Sequence, residues 1–301
     1  MAKSEFCVPD YDLAATLSSG QAFRWKLQDG AWEAVIVGRW VRLRQRGDII
    51  EAQTLGSAGN WRWLIDYLRL DDDHAAALAS FPDDPPLRAA TSHCRGLRLL
   101  RQEPWECLAS FILSSTKQIV QIQQCVALLC QRYGEAVPSV EAAEPQFAFP
   151  TPARIAAASE AELRACKIGF RAPYLLAAAA RVDSGQLHLG RLPQRPLAEA
   201  RAALMECHGV GRKVADCVLL FSLGFDEAFP IDVWVERALR QLYFPKRRVK
   251  RARLERFAAT YFGPQAGLAQ QYLFHSLRTA QGRGTEKMIH ESRSHLHAGR
   301  I

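Results

Sequence analysis

The chain has 301 residues, 49% of them apolar, with 39 Lys and Arg against 31 Asp and Glu, a net charge of +8 and a pI near 9.2. That apolar share furnishes one large core or two smaller ones and excludes disorder except at the ends, while the positive excess points to an anionic partner, nucleic acid ahead of a membrane surface. No run approaches the ~18 apolar residues of a membrane span, and Met1 to Phe6 carry no apolar stretch of a secretory signal, so an intracellular protein without membrane association is expected.

Residues 1–95 read as an antiparallel sheet domain. Trp32–Val37 and Trp40–Gln45 are β-branched or alternating, and Gly38 and Gly47 punctuate them. Asn60–Leu70 has the spacing of a short amphipathic helix ending before Asp71-Asp72-Asp73, and Pro82-Asp83-Asp84-Pro85-Pro86 marks a loop. From Gly96 the chain turns helical. Apolar residues recur at helical spacing over Leu99–Ser114, Ile119–Tyr133, Glu160–Cys166, Tyr174–Val182 and Leu197–Glu206. Lys213–Leu223, Val233–Phe244, Arg251–Tyr261 and Gln265–Thr279 continue the pattern, with Gly and Pro between segments. An all-helical domain over 96–283 follows, and the polar, histidine-bearing residues 284–301 are expected to be disordered. The fold class is α+β, mostly α, without internal repeats, and a monomer is expected.

Eight cysteines lie at 7, 94, 107, 125, 130, 166, 207 and 217. None forms a Cys-x-x-Cys pair and most sit in apolar helical stretches, the pattern of reduced, buried thiols. The close spacing that zinc or an iron–sulfur cluster needs is missing, so neither is expected, and no required cofactor is read from the chain.

The densest chemical signal is His208-Gly209-Val210-Gly211-Arg212-Lys213-Val214-Ala215-Asp216-Cys217, followed by Pro230-Ile231-Asp232-Val233-Trp234. Gly209 and Gly211 make a tight turn between helices whose backbone N–H groups can face a phosphate. Lys213 stands at the mouth of the next helix; nineteen residues on, Asp232 follows Pro230 at the start of another. An amine and a carboxylate beside a DNA backbone suit attack on a sugar carbon, which suggests a DNA-repair glycosylase. Plainer readings stay open at this point: a phosphate-contacting lysine, and an N-terminal cap worth about 1 kcal/mol. Cys217 falls four residues after Lys213 on the same helix face, where a thiolate could pair with the ammonium. Asp216 is assigned to helix structure. The run Lys246-Arg247-Arg248-Val249-Lys250-Arg251 is either solvated or follows phosphates.

Several segments together resemble the helix-hairpin-helix DNA glycosylases, specifically the 8-oxoguanine DNA glycosylase/lyase branch. Ser18-Ser19-Gly20-Gln21-Ala22-Phe23-Arg24-Trp25 is similar to that family's Gly-Gln-x-Phe-Arg-Trp signature, and Gly96–Cys107 to its lead into the helical domain. Ile168-Gly169-Phe170-Arg171-Ala172-Pro173-Tyr174 resembles its Gly-Tyr-Arg-Ala-x-Tyr turn, and the hairpin, the Pro-x-Asp segment and Ala269-Gln270-Gln271-Tyr272-Leu273-Phe274 complete an ordered set over residues 18–275.

The resemblance implies a fold, an activity and a set of roles. An N-terminal sheet domain precedes a helical glycosylase domain that flips 8-oxoguanine out of duplex DNA. Lys213 attacks the sugar, forms a Schiff base and nicks the strand by β-elimination, and Asp232 steadies the charge on the sugar. The base is held between Cys217 and Phe274, with the Gly20 carbonyl taking the N7 hydrogen that oxidation adds, and Gln270 and the Pro230 carbonyl reading its pairing edge. DNA contacts fall on Thr116, Lys117, Gln118, Phe170, Arg171, Gly209 and Gly211, and the hairpin carbonyls hold a monovalent or divalent cation. The partner is double-stranded DNA containing an oxidised purine. Thr116-Lys117-Gln118 departs from the family's asparagines, Phe170 from its tyrosine, Trp234 from a phosphate-touching histidine and His208 from a proline. Two other readings are weighed: a monofunctional alkylpurine glycosylase, which needs no lysine nucleophile, and a non-catalytic hairpin module, which needs neither Asp232 nor a sheet domain.

Overall fold

In the computed structural model, residues 1–115, 117–138, 145–245 and 247–280 are described. Thr116, Lys246 and the tail 284–301, of which disorder is expected, lie outside them. The N-terminal part contains a five-stranded antiparallel sheet of β1 (Ala2–Cys7), β2 (Lys26–Gln28), β3 (Ala31–Ile36), β4 (Arg39–Arg46) and β5 (Ile49–Thr54), in the order β1-β5-β4-β3-β2. The two strands read from sequence are β3 and β4. Their turn uses Val37 at φ 50 and Gly38 at φ 69, the paired left-handed geometry that lets a two-residue hairpin follow the sheet's twist. Val41, Leu43, Ile50 and Ala52 are fully buried on one face against Leu13, Leu17, Trp25, Leu64 and Leu68. Each large side chain removed from water there contributes about 1.5–3 kcal/mol.

In the N-terminal part periodicity missed β1, β2, β5 and three short helices. In Leu13–Ser18 and Pro85–His93, Asp12 and Asp84 cap the first turn by accepting from Ala15 N at 2.8 Å and Leu87 N at 2.7 Å. Pro85, expected in a loop, occupies the first helical turn, where its missing N–H costs nothing. The third is His74–Ala79. The expected helix Leu99–Ser114 is shorter, Pro104–Leu113. Residues 99–103 run extended because their backbone bonds elsewhere: Leu100 N donates to Gln21 Oε1 at 2.8 Å and Gln102 N to Phe221 O at 2.8 Å. Gln21, fully buried, also donates to Thr16 O and Arg98 O, at 3.0 and 2.9 Å. It latches the N-terminal part to the strap leading into the helices.

The helical part packs one continuous core around Pro104–Leu113, Arg212–Val218 and the helix over 266–280. Arg69 reaches across from the N-terminal part to Asp226, with both guanidinium bonds at 2.8 Å.

Two histidines, His74 half-buried and His275 buried, tie this architecture to pH. Burial first, then nearby Arg98, lowers His74 to about 4; burial, then Arg278, lowers His275 to about 4. Tyr272 OH donates its one proton to Leu97 O at 3.1 Å, so it accepts from His74 Nε2 at 3.1 Å. Both imidazoles stay neutral in the fold but take a proton near pH 6.5 when unfolded. Stability is therefore fully present above that pH and is lost as pH falls from about 6.5 towards 4. Burial raises Glu103 and Glu106, which act in the opposite sense, so a comparison isolates the histidines. The wild type should lose more melting temperature between pH 7 and 5 than a His74→Gln/His275→Gln double variant; equal losses would refute the assignment.

Candidate active site

The hairpin joins helix Leu197–Met205 to helix Arg212–Val218. Gly209 sits at φ 84, and a Cβ there would lie 2.3 Å from the Tyr174 ring, so glycine is required twice over. A Cβ on Gly211 would meet nothing within 4 Å, leaving that side of the turn open. His208 packs edge-on against Tyr174 with centroids 4.7 Å apart. Asp216, 2% exposed, binds Arg201 at 2.6 Å and faces Arg212 at 3.6 Å, which makes it the clamp between the hairpin helices.

Lys213 lies in the first turn past the hairpin, half-buried. Its Nζ is 3.0 Å from Ser114 Oγ and 5.0 Å from the centre of the Phe111 ring. Asp232 caps helix Val233–Tyr243, with Oδ1 accepting from Val235 N at 2.8 Å. Arg251 braces this corner by donating to Ile231 O and pairing with Glu236 at 2.9 Å. One member of the basic run is thus structural, while Arg247, Arg248 and Lys250 are exposed.

Lys213 and Asp232 line the same cavity, with Gly20, Cys217, Pro230, Gln270 and Phe274, all seven expected there. Phe111, Phe221 and Gln271 complete the wall. Its volume is about 50 Å³, room for one or two waters at ~30 Å³ each. The Gln270 side chain is buried, and its Oε1 has no hydrogen-bond partner among the described residues. An unmet buried acceptor costs ~1–3 kcal/mol and suits a site that awaits a polar ligand. Gly20 is at φ 86, and a Cβ would press on Ile119 Cδ1 at 2.8 Å. Arg278 lies 5.7 Å from the Phe274 ring and donates to Ser18 O at 2.8 Å, joining the two walls.

Burial bears on two of the expected site residues. Burial pushes the Cys217 thiol up to about 12, outweighing the opposing effect of Lys213, which favours the neutral thiol over the expected thiolate–ammonium pair. Arg171, expected to contact DNA, is 4% exposed in the free protein, with its guanidinium 4.2 Å from the centre of the Phe170 ring. It supports Phe170, which is 52% exposed. On the loop after helix Pro104–Leu113, Lys117 is half-buried and Gln118 exposed, its N–H donating to Gln121 Oε1 at 3.0 Å. Ser114 and Phe111, which touch Lys213, were not singled out from sequence. Neither residue type marks such a role, and only the crossing of two helices brings them there.

A larger groove of about 790 Å³ runs past Val37, Trp105 and Phe149. Its acids are committed: Glu103 caps Pro104–Leu113 and Glu106 pairs with Arg24 at 3.3 Å. Volume alone therefore does not locate the chemistry. Among the described residues no group of three His, Cys, Asp or Glu could hold a metal ion, and no helix is long and apolar enough to cross a membrane.

Residues 5–108 match a family model described as the N-terminal domain of 8-oxoguanine DNA glycosylase, and residues 109–264 one described as HhH-GPD superfamily base excision DNA repair protein. The N-glycosylase/DNA lyase OGG1 of Arabidopsis thaliana is 34% identical over 284 residues, covering 87% of this chain and 76% of that protein. The N-glycosylase/DNA lyase of Saccharomyces cerevisiae is 32% identical over 272 residues, covering 80% and 69%. Among solved structures, the Clostridium acetobutylicum 8-oxoguanine glycosylase/lyase, in complex with double-stranded DNA containing cytosine opposite 8-oxoguanine, superposes with a TM-score of 0.87. It is 29% identical and covers 93% of this chain and 99% of that one.

Proposed function

The chain belongs to the HhH-GPD superfamily of base excision DNA repair proteins, in its 8-oxoguanine glycosylase branch, and from that premise we propose how its own residues carry out base removal and strand nicking. It is an N-glycosylase/DNA lyase acting on 8-oxoguanine in double-stranded DNA. The observation that carries the assignment of residues is the convergence of four distant segments, at 20, 213–217, 230–232 and 270–274, on one cavity.

The Lys213 lone pair forms a bond to C1′ as the C1′–N9 bond breaks, and the electron pair leaves with the base, which takes up a proton. Asp232, held by its cap bond, places negative charge beside the cationic sugar. Proton loss from nitrogen and opening of the sugar ring give the Schiff base; loss of the C2′ proton then expels the 3′ phosphate. Gln270 Oε1, unpaired in the free protein, meets a donor on the pairing edge of the base, with Cys217 and Phe274 on its two faces. The hairpin turn, with Phe170 and the 116–118 loop, takes the backbone and the vacated stack. A cation on the hairpin carbonyls would fix that loop; among the described residues Cys207 O accepts from Val210 N alone, at 2.9 Å, which leaves it a second lone pair. The division into domains at 95 and 96 belongs to the same proposal, as does action wherever the cell keeps its DNA.

Duplexes carrying 8-oxoguanine, an alkylated purine or an abasic site, each opposite all four bases, test this reading when base release is separated from nicking. Release and nicking at 8-oxoguanine, with nicking at the abasic site, are expected. Product from the alkylated purine alone, or binding without product, would overturn it.

A further inference from the structure

We propose that Ser114 is a positioning residue for Lys213, accepting one N–H of the amine so that its lone pair turns towards the cavity. The inference rests on Lys213 being the nucleophile. Ser114 ends helix Pro104–Leu113, and its hydroxyl donates to Phe111 O at 2.7 Å. A serine hydroxyl has a single proton. With that proton committed, Ser114 Oγ is the acceptor and Lys213 Nζ the donor in their 3.0 Å contact.

The centre of the Phe111 ring, part of the cavity wall, lies 5.0 Å from the nitrogen, and its negative face also attracts the hydrogens of an amine or ammonium. Two groups that attract hydrogen, Ser114 behind the cavity lining and Phe111 in its wall, therefore lie close to Nζ, and Lys213 lines the cavity with Cys217 and Asp232. An unprotonated amine held this way keeps its hydrogens on Ser114 and Phe111 and presents its lone pair to C1′. The holder is rigid: Phe111 is buried and stacked on Phe221, with centroids 5.6 Å apart. Ser114 is not among the residues that line the cavity, and its link to the cavity is the lysine. A lysine stem has four rotatable bonds, and an error of about 1 Å in a reacting atom can cost on the order of 10²-fold in rate.

The test uses the full chain with abasic-site duplex, borohydride trapping under single-turnover conditions, and binding to a duplex with a non-cleavable abasic analogue. Ser114→Ala, and Ser114→Cys, which fills the space with a poor acceptor, should trap on the order of 10- to 100-fold more slowly at analogue affinity within about threefold of wild type. Ser114→Thr, which restores the hydroxyl, should recover most of the rate. Wild-type rates in Ser114→Ala, or Ser114→Thr as slow as Ser114→Ala, would overturn the role of Ser114 and leave Lys213 as nucleophile. Wild-type protein that fails to trap, or Lys213→Gln that still traps, would overturn both.

Discussion

Lys213→Gln is expected to abolish borohydride capture and to slow release of 8-oxoguanine by on the order of 10³-fold or more, about 4 kcal/mol of transition-state stabilisation. Glutamine keeps comparable bulk and can still donate to Ser114 Oγ, which Lys213 Nζ approaches at 3.0 Å, so folding and DNA affinity should survive. What it lacks is a nitrogen lone pair free to bond to carbon, because the amide delocalises it. Base release and nicking should therefore fall together, with the melting temperature unchanged. A variant that still cross-links to damaged DNA would show that another amine is the nucleophile.

For Asp232, the choice of substitution separates two roles that one side chain combines. Its Oδ1 caps helix Val233–Tyr243 through Val235 N, and asparagine caps about as well as aspartate. Asp232→Asn should thus melt like wild type and bind DNA like wild type, yet excise base about 10²- to 10³-fold more slowly, because a neutral amide cannot balance a cationic sugar. Asp232→Ala should show the same kinetic loss and a further ~1 kcal/mol of destabilisation from the missing cap. If Asp232→Asn excises at the wild-type rate, the carboxylate serves the helix alone.

The parts of this molecule legible in its sequence are those governed by local rules. Gly209, Gly211, Lys213 and Asp232 stand at fixed offsets from helix starts, so their placement followed from turn and cap chemistry. Gly20, Gln270 and Phe274 were reached through resemblance, since nothing local connects residue 20 to residue 270. Three things were hidden because they depend on what crosses what. Residues 99–103 carry a helical pattern but bond to Gln21 and Phe221 instead. Arg171 looks like a surface cation until Phe170 is seen to cover it. The state of Cys217 is set by burial, which spacing from Lys213 does not report. Ser114 was hidden for the same reason, as the contact spans 99 positions.

Before DNA arrives, the space between Gly20, Gln270 and Phe274 is about 50 Å³, far below the ~300 Å³ at which ordinary ligand pockets begin. A flipped purine needs more room than this, and the grip on the surrounding duplex can supply the work of widening the space. A loose nucleobase in solution brings no such grip. Recognition of the base by this cavity is therefore expected to depend on the duplex that delivers it.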